Sequence, residues 1–244
     1  MERSKYLVIV FLMLLSFSNL KATYKSDIYN AYISNNMGKW KITIDEMNRQ
    51  QNKSNEFILE LLNYQYGYIG WCIGNKKNNL AEEYIELGQK NIQILEKNNF
   101  KISMVNSYKS AFYGFRIGLN KLQAPFIGPK SVECSILAMK QDDKNPFGYI
   151  QYGNSEYYMP SMFGGSKKVA LEYYEKAVKI MELNPAQTKE DWNYLSLLTI
   201  IAQAYAETEY YTSAKQIYEK IVRIEPNFLW VKNELYPELL KKIK

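Results

Sequence analysis

Ala214, Tyr218 and Ile221 lie at i, i+4 and i+7, along one face of an α-helix, and Pro226 ends the run. Ala170, Tyr174 and Ala177 repeat the interval before Pro185. The small residue lets a neighbouring helix approach, the aromatic fills the gap, and proline stops the helix because it has no N–H to donate. Apolar faces of the same period precede each run: Leu198, Ile201, Ala202 and Tyr205 in one case, Tyr149, Tyr152 and Gly153 in the other. Nearer the N-terminus, Tyr29, Tyr32, Trp40, Ile44 and Met47 suit a first pair of helices. Phe57 to Trp71, with Ala81, Ile85 and Gly88, suit a second, joined by a turn at Gly74 to Asn79. Strand-period alternation competes nowhere. The pattern predicts an all-α chain of about five helical hairpins.

Two connections break the rhythm. Ala124 to Ser131 and Met159 to Ser166 are rich in Pro and Gly and carry apolar residues, so both are expected to be long loops. Their pairs Ile127-Gly128 and Phe163-Gly164 are 36 residues apart, and Asn145-Pro146 and Asn184-Pro185 are 39 apart, which marks an internal repeat. Consecutive repeats would place both loops on one edge. There Phe126, Ile127, Met162 and Phe163 form an expected ridge that either seals the edge or offers a docking surface. Thr188 with Asp191 three residues on has the form of a capping box. Residues 227–244, with Leu229, Trp230, Leu235, Leu239 and Leu240, are too short for a hairpin and read as a terminal capping helix.

The small-aromatic-small spacing with its closing proline resembles the tetratricopeptide repeat (TPR), a helical hairpin of roughly 34 residues. The loops and the Ala-x-x-x-Tyr-x-x-Ala helix are similar to those of exported bacterial TPR proteins and of the helical T-component of tripartite (TRAP) solute transporters. The likeness covers about residues 102–226; it is clearest over 102–145, 146–187 and 188–226. The first of these departs from it, with Ser131 and Ser135 where Ala and an aromatic are expected. The resemblance implies a right-handed α-solenoid whose concave face binds a protein or peptide. The runner-up implication is a solute-handling component, its loops gathered at a pocket or an oligomer interface; a homo-oligomer is compatible with either.

The N-terminus sets an expected compartment. Glu2-Arg3-Ser4-Lys5 is net positive, Tyr6 to Phe17 is an apolar run of twelve, and Ser16, Ser18 and Ala22 offer small residues for cleavage. Twelve is too few to span a bilayer, which takes about 20, but suits a signal peptide over residues 1–22. The mature domain is then 23–244, exported to the periplasm or beyond, with no membrane insertion after cleavage. The formal charge of +6 falls to +4 without that segment, and the lysines are scattered, which argues against nucleic acid.

There is no histidine, which removes the commonest general base and nearly every catalytic zinc site. No cofactor or metal is expected, and no enzyme. Cys72 and Cys134 stand 62 positions apart on non-adjacent helices and read as two buried thiols. Gly164-Gly165-Ser166-Lys167 could cradle a phosphate, yet glycine freedom and Ser166 as an N-cap account for it. Asp142-Asp143 reads as a solvated turn. Most aromatics fall in core register. Tyr157 and Tyr158 differ, since they end a first helix where such solenoids line the concave face. With Gln203 and Glu207 on the next first helix, they are the candidate contacts for a partner.

Overall fold

A computed structural model of the protein describes residues 24–243. The signal-peptide expectation for residues 1–22 lies outside them. Over the described residues the chain is an all-α solenoid of five antiparallel hairpins. They are α1 (24–33) with α2 (Met37–Arg49), α3 (Asn55–Gly74) with α4 (Asn78–Lys97), and α5 (Ile102–Leu119) with α6 (Ala124–Gln141). Then come α7 (Pro146–Tyr158) with α8 (Lys167–Glu182) and, after the single turn α9 (Pro185–Thr188), α10 (Trp192–Glu207) with α11 (Tyr211–Ile224). A π-helical stretch, Val231–Leu235, leads into α12 (Tyr236–Ile243). No strand occurs among the described residues.

Local chemistry sets the helix ends. Side chains of Asn36, Ser54, Asn145, Ser166 and Asp191 accept a backbone N–H at the starts of α2, α3, α7, α8 and α10. Three hairpin turns share one closure. Asn35, Lys76 and Glu209 have φ of 54°, 58° and 65°. The N–H after each bonds the carbonyl five residues back: Asn36 to Ala31 (2.8 Å), Lys77 to Cys72 (2.8 Å) and Tyr210 to Tyr205 (2.9 Å). The α5–α6 and α7–α8 connections depart from this turn. Each contains a 3-10 turn, at Lys121–Gln123 and Ser161–Phe163.

Packing between helices follows the small-aromatic-small spacing. Ala170, Tyr174 and Ala177 are fully buried, as are Ala214 and Ile221, with Tyr218 nearly so. A Cβ on Gly153 would meet the Tyr174 ring at 2.6 Å, so the glycine is what lets α7 and α8 close. The α5–α6 pair reaches the same end by other means. Ser131, Ser135 and Ala138 occupy the equivalent positions of α6 and face Ser103, Ser107 and Ser110 of α5, all buried. Ser103 donates to the Ala138 carbonyl (2.8 Å) and Ser131 to the Ser110 carbonyl (2.8 Å). Asn145 donates to Ser103 (2.8 Å) and Ser107 (3.2 Å), so this interface is a satisfied polar seam.

Every first helix of the five hairpins sends an aromatic to one interior cluster. These are Tyr32 from α1, Tyr66 from α3, Tyr108 from α5, Phe147 from α7 and Trp192 from α10. Trp192 lies 5.8 Å from Tyr32, 6.2 Å from Tyr66 and 5.0 Å from Trp40 of α2, centroid to centroid. Tyr108 meets Phe147 at 5.6 Å. The curvature brings α1 against the segments that flank the fifth hairpin. Tyr32 packs on Phe228 at 4.9 Å, Tyr29 donates to Glu225 (2.8 Å), and Lys25 reaches the Lys189 carbonyl (3.1 Å).

Several expectations need correction. Residues 124–131 form the start of α6 and no loop, with Pro125 in its first turn and Pro129 inside it. The N–H that Pro129 lacks would have served the Pro125 carbonyl one turn earlier. Gly128 has no Cβ to clash with the proline ring, so the helix loses a single bond. Asp191, not Thr188, caps α10; Thr188 ends α9 and donates to the Pro185 carbonyl (2.9 Å). In the C-terminal cap the buried side chains are Phe228, Val231 and Leu239, while Leu229 and Leu240 are exposed. The expectation of two buried thiols holds, by contrast: Cys72 and Cys134 are free, and burial raises both above the usual thiol range, Cys72 to about 11.

Candidate functional site

The concave face expected to be open is largely occupied by the aromatic cluster, so the surface left to a partner is its rim. At that rim α7, α8 and α10 meet. The Tyr157 hydroxyl donates to Glu207 Oε2 (2.8 Å), and Lys167 Nζ sits 2.7 Å from the same oxygen. Lys167 also lies over the Tyr157 ring at 5.6 Å from the centroid. Burial, then the Glu207 hydrogen bond, pushes the Tyr157 phenol far above the ordinary tyrosine range, so it stays a donor. Tyr157 and Glu207 are thus committed to joining two repeats. Tyr158 packs edge-on against Tyr157 at 4.8 Å and keeps 71% of its surface exposed. Gln203, half-buried, lies one helical turn before Glu207 on the same face of α10.

The edge that carries the hairpin turns holds the other candidates. Phe126 is 76% exposed, Met162 81% and Phe163 68%. Ile127 is half-buried beside them in sequence. Rings exposed to this degree seal nothing. Sequence reasoning missed Leu122, 82% exposed between Asn120 and α6, and Tyr210 at the start of α11, also exposed. The available signal was an apolar residue out of helical register within a turn. It missed the interior cluster as well, because Tyr66, Phe147 and Trp192 read as ordinary core positions until the chain curves back on itself.

The remaining motifs prove structural. Gly164 has φ of 97°, and a Cβ on Gly165 would fall 1.9 Å from the Met159 carbonyl oxygen, so this tight turn requires both glycines. Ser166 then accepts the Val169 N–H (3.3 Å) as an N-cap. Asp142 accepts the Lys144 N–H (3.0 Å) in a solvated turn. Among the described residues, no three His, Cys, Asp or Glu side chains gather as a metal site would need, and no helix is long and apolar enough to cross a membrane. A surface cleft of about 320 Å³ lies between α4 and α5, lined by Glu82, Ile85, Glu86, Arg116 and Leu119. Arg116 is held there by Glu86 (2.8 Å) and Gln89 (2.7 Å).

The fold and its rim define a class: a TPR-like helical repeat protein. The tetratricopeptide repeat family matches residues 195–228, which are most of α10 and all of α11. The HusA haemophore from Porphyromonas gingivalis superposes with a TM-score of 0.58 at 18% identity, over 74% of this chain and 92% of that one. At that identity the likeness is one of fold. BtubC (BKLC) from P. vanneervenii gives a TM-score of 0.40 at 13% identity, over 82% and 74% of the two chains. No curated protein matches the sequence.

Proposed function

We propose that the protein is a non-catalytic scaffold of the bacterial cell envelope that binds a protein or peptide at the rim of its solenoid. The observation that carries this reading is Tyr158. A rigid aromatic is held exposed, packed against Tyr157, which the Glu207 and Lys167 contacts fix in place. Aromatic anchors on an ordered support are what interfaces use for most of their binding energy, because little side-chain entropy is lost on contact. Gln203, one turn before Glu207 on α10, supplies an amide that both donates and accepts. TPR repeats commonly serve protein interaction, which favours a protein partner over a small solute. Residues 1–22 support an exported location, and the lack of histidine supports the non-catalytic role.

The test places a photo-crosslinking amino acid at position 158 in the producing cell and identifies what it captures. The expected result is one defined protein, captured in proportion to the scaffold. Its copurification should be lost in Tyr158→Ala while the melting temperature is unchanged. A small molecule recovered with the native protein, and no protein crosslink, would favour the solute-handling alternative. Retention of the partner by Tyr158→Ala would overturn the rim as its site.

A further inference from the structure

We propose that the turn edge of the solenoid docks onto an anionic lipid membrane surface, with Leu122, Phe126, Met162 and Phe163 entering the interfacial zone. Both connections that abandon the compact turn place apolar side chains at their tips, and all four are more than two-thirds exposed. Within the two connections the charge is one-sided, the nearest acids in sequence, Glu133, Glu156 and Glu172, standing just outside them. Residues 117–132 contain Lys121 and Lys130 and no acid; residues 157–171 contain Lys167 and Lys168 and no acid. The neighbouring α3–α4 turn adds exposed Lys76 and Lys77. Lys167 is tied to Glu207, but among the described residues Lys76, Lys121, Lys130 and Lys168 pair with no carboxylate. Glu207 and Glu209 mark where the basic stretch ends, at the fifth hairpin.

Aromatic and aliphatic tips flanked by unpaired lysines suit a lipid interface. The tips leave water for the boundary of the acyl region while the ammonium groups meet phosphates. A second copy of this chain would bring the same lysines against each other, which opposes an edge-to-edge dimer. The opposite edge also carries lysines, Lys53, Lys101, Lys144 and Lys189, but its turns mix them with Asp142, Asp143 and Glu190, and Leu183 is its one strongly exposed apolar side chain among the described residues. The proposal goes beyond the scaffold reading and does not use Tyr158, so either can fail alone.

The experiment uses the chain from Thr23 onward, which contains every described helix and omits the apolar N-terminal run. It is sedimented with vesicles of pure phosphatidylcholine and with vesicles containing 30% phosphatidylglycerol, a share on the order of that giving anionic leaflets their surface potential. Binding should be at least roughly ten-fold stronger to the anionic vesicles and should weaken as salt is raised. Each of Lys121→Glu, Lys130→Glu and Lys168→Glu reverses a charge and should lower it by at least roughly five-fold. Met162→Ser with Phe163→Ser should lower it by roughly ten-fold or more, at an unchanged melting temperature because neither side chain is packed. Absence of binding to either vesicle, or binding indifferent to these substitutions, would overturn the proposal. So would a dimer seen by analytical ultracentrifugation that the same serines abolish, with no vesicle binding.

Discussion

The third and fifth hairpins have the same topology and opposite chemistry. In α11, Ala214, Tyr218 and Ile221 make an apolar seam with α10, and the turn between them closes in three residues. In α6, Ser131, Ser135 and Ala138 stand at those positions, the seam with α5 is a run of hydrogen-bonded serines, and the connection is longer with exposed apolar tips. The contrast shows that the repeat demands a filled, satisfied helix-to-helix seam rather than a residue type. An aromatic between small residues can fill it, or serines can line it with their hydroxyls bonded across it.

The largest expected effect comes from emptying the apolar seam. Tyr218→Ala should destabilise the protein by about 3–5 kcal/mol by leaving a cavity. Ser135→Ala at the equivalent site should cost no more than about 1 kcal/mol, because its hydroxyl bonds only the Val132 carbonyl one turn back (2.7 Å). Urea denaturation of the two variants measures the contrast, and equal losses would erase it.

Next is Asn145, whose side chain serves Ser103 and Ser107 and also accepts the Phe147 N–H (3.0 Å) to cap α7. Asn145→Ala loses a cap and leaves two buried hydroxyls without their donor, for a cost of about 2–4 kcal/mol. Its thermal melt, set beside that of Ser135→Ala, tells whether the polar seam depends on this one side chain. Overpacking probes the distance itself. Ala214→Leu and Ala170→Leu should each cost about 1–3 kcal/mol, because α11 and α8 have no room for the added methylenes. A melt unchanged by Ala214→Leu would show that the seam can widen.

The smallest effect is a pH dependence. Burial holds the Asp191 carboxyl above the ordinary aspartate range despite its bonds from Asn193. Between the unfolded and folded values the native state therefore binds more protons than the unfolded chain, so stability falls as pH rises through that window. Asp191→Asn keeps a good cap without the buried charge. It should match or exceed the wild type by up to about 1 kcal/mol at pH 7, with the gap closing toward about pH 4. Melting curves at both values check the sign. The serine seam is neutral, so Ser131→Ala should show no such pH term.

The linear pattern carried the helical class, the hairpin count and the core register of α8 and α11. Those rest on period, cap residues and proline, all local in the chain. It placed Tyr157 and Tyr158 at the end of α7 and Glu207 on α10, because helix phase is countable. It could not show that Tyr157 and Glu207 bond across 50 residues and so leave Tyr158 as the exposed ring. It misread Pro125 to Ser131 as a loop, since whether a helix tolerates Pro129 depends on where it begins. That the concave face is filled emerges in three dimensions alone. Tyr32, Tyr66, Tyr108, Phe147 and Trp192 are far apart in sequence and meet only through curvature, the sum of small rotations between successive hairpins, and no local pattern encodes that sum.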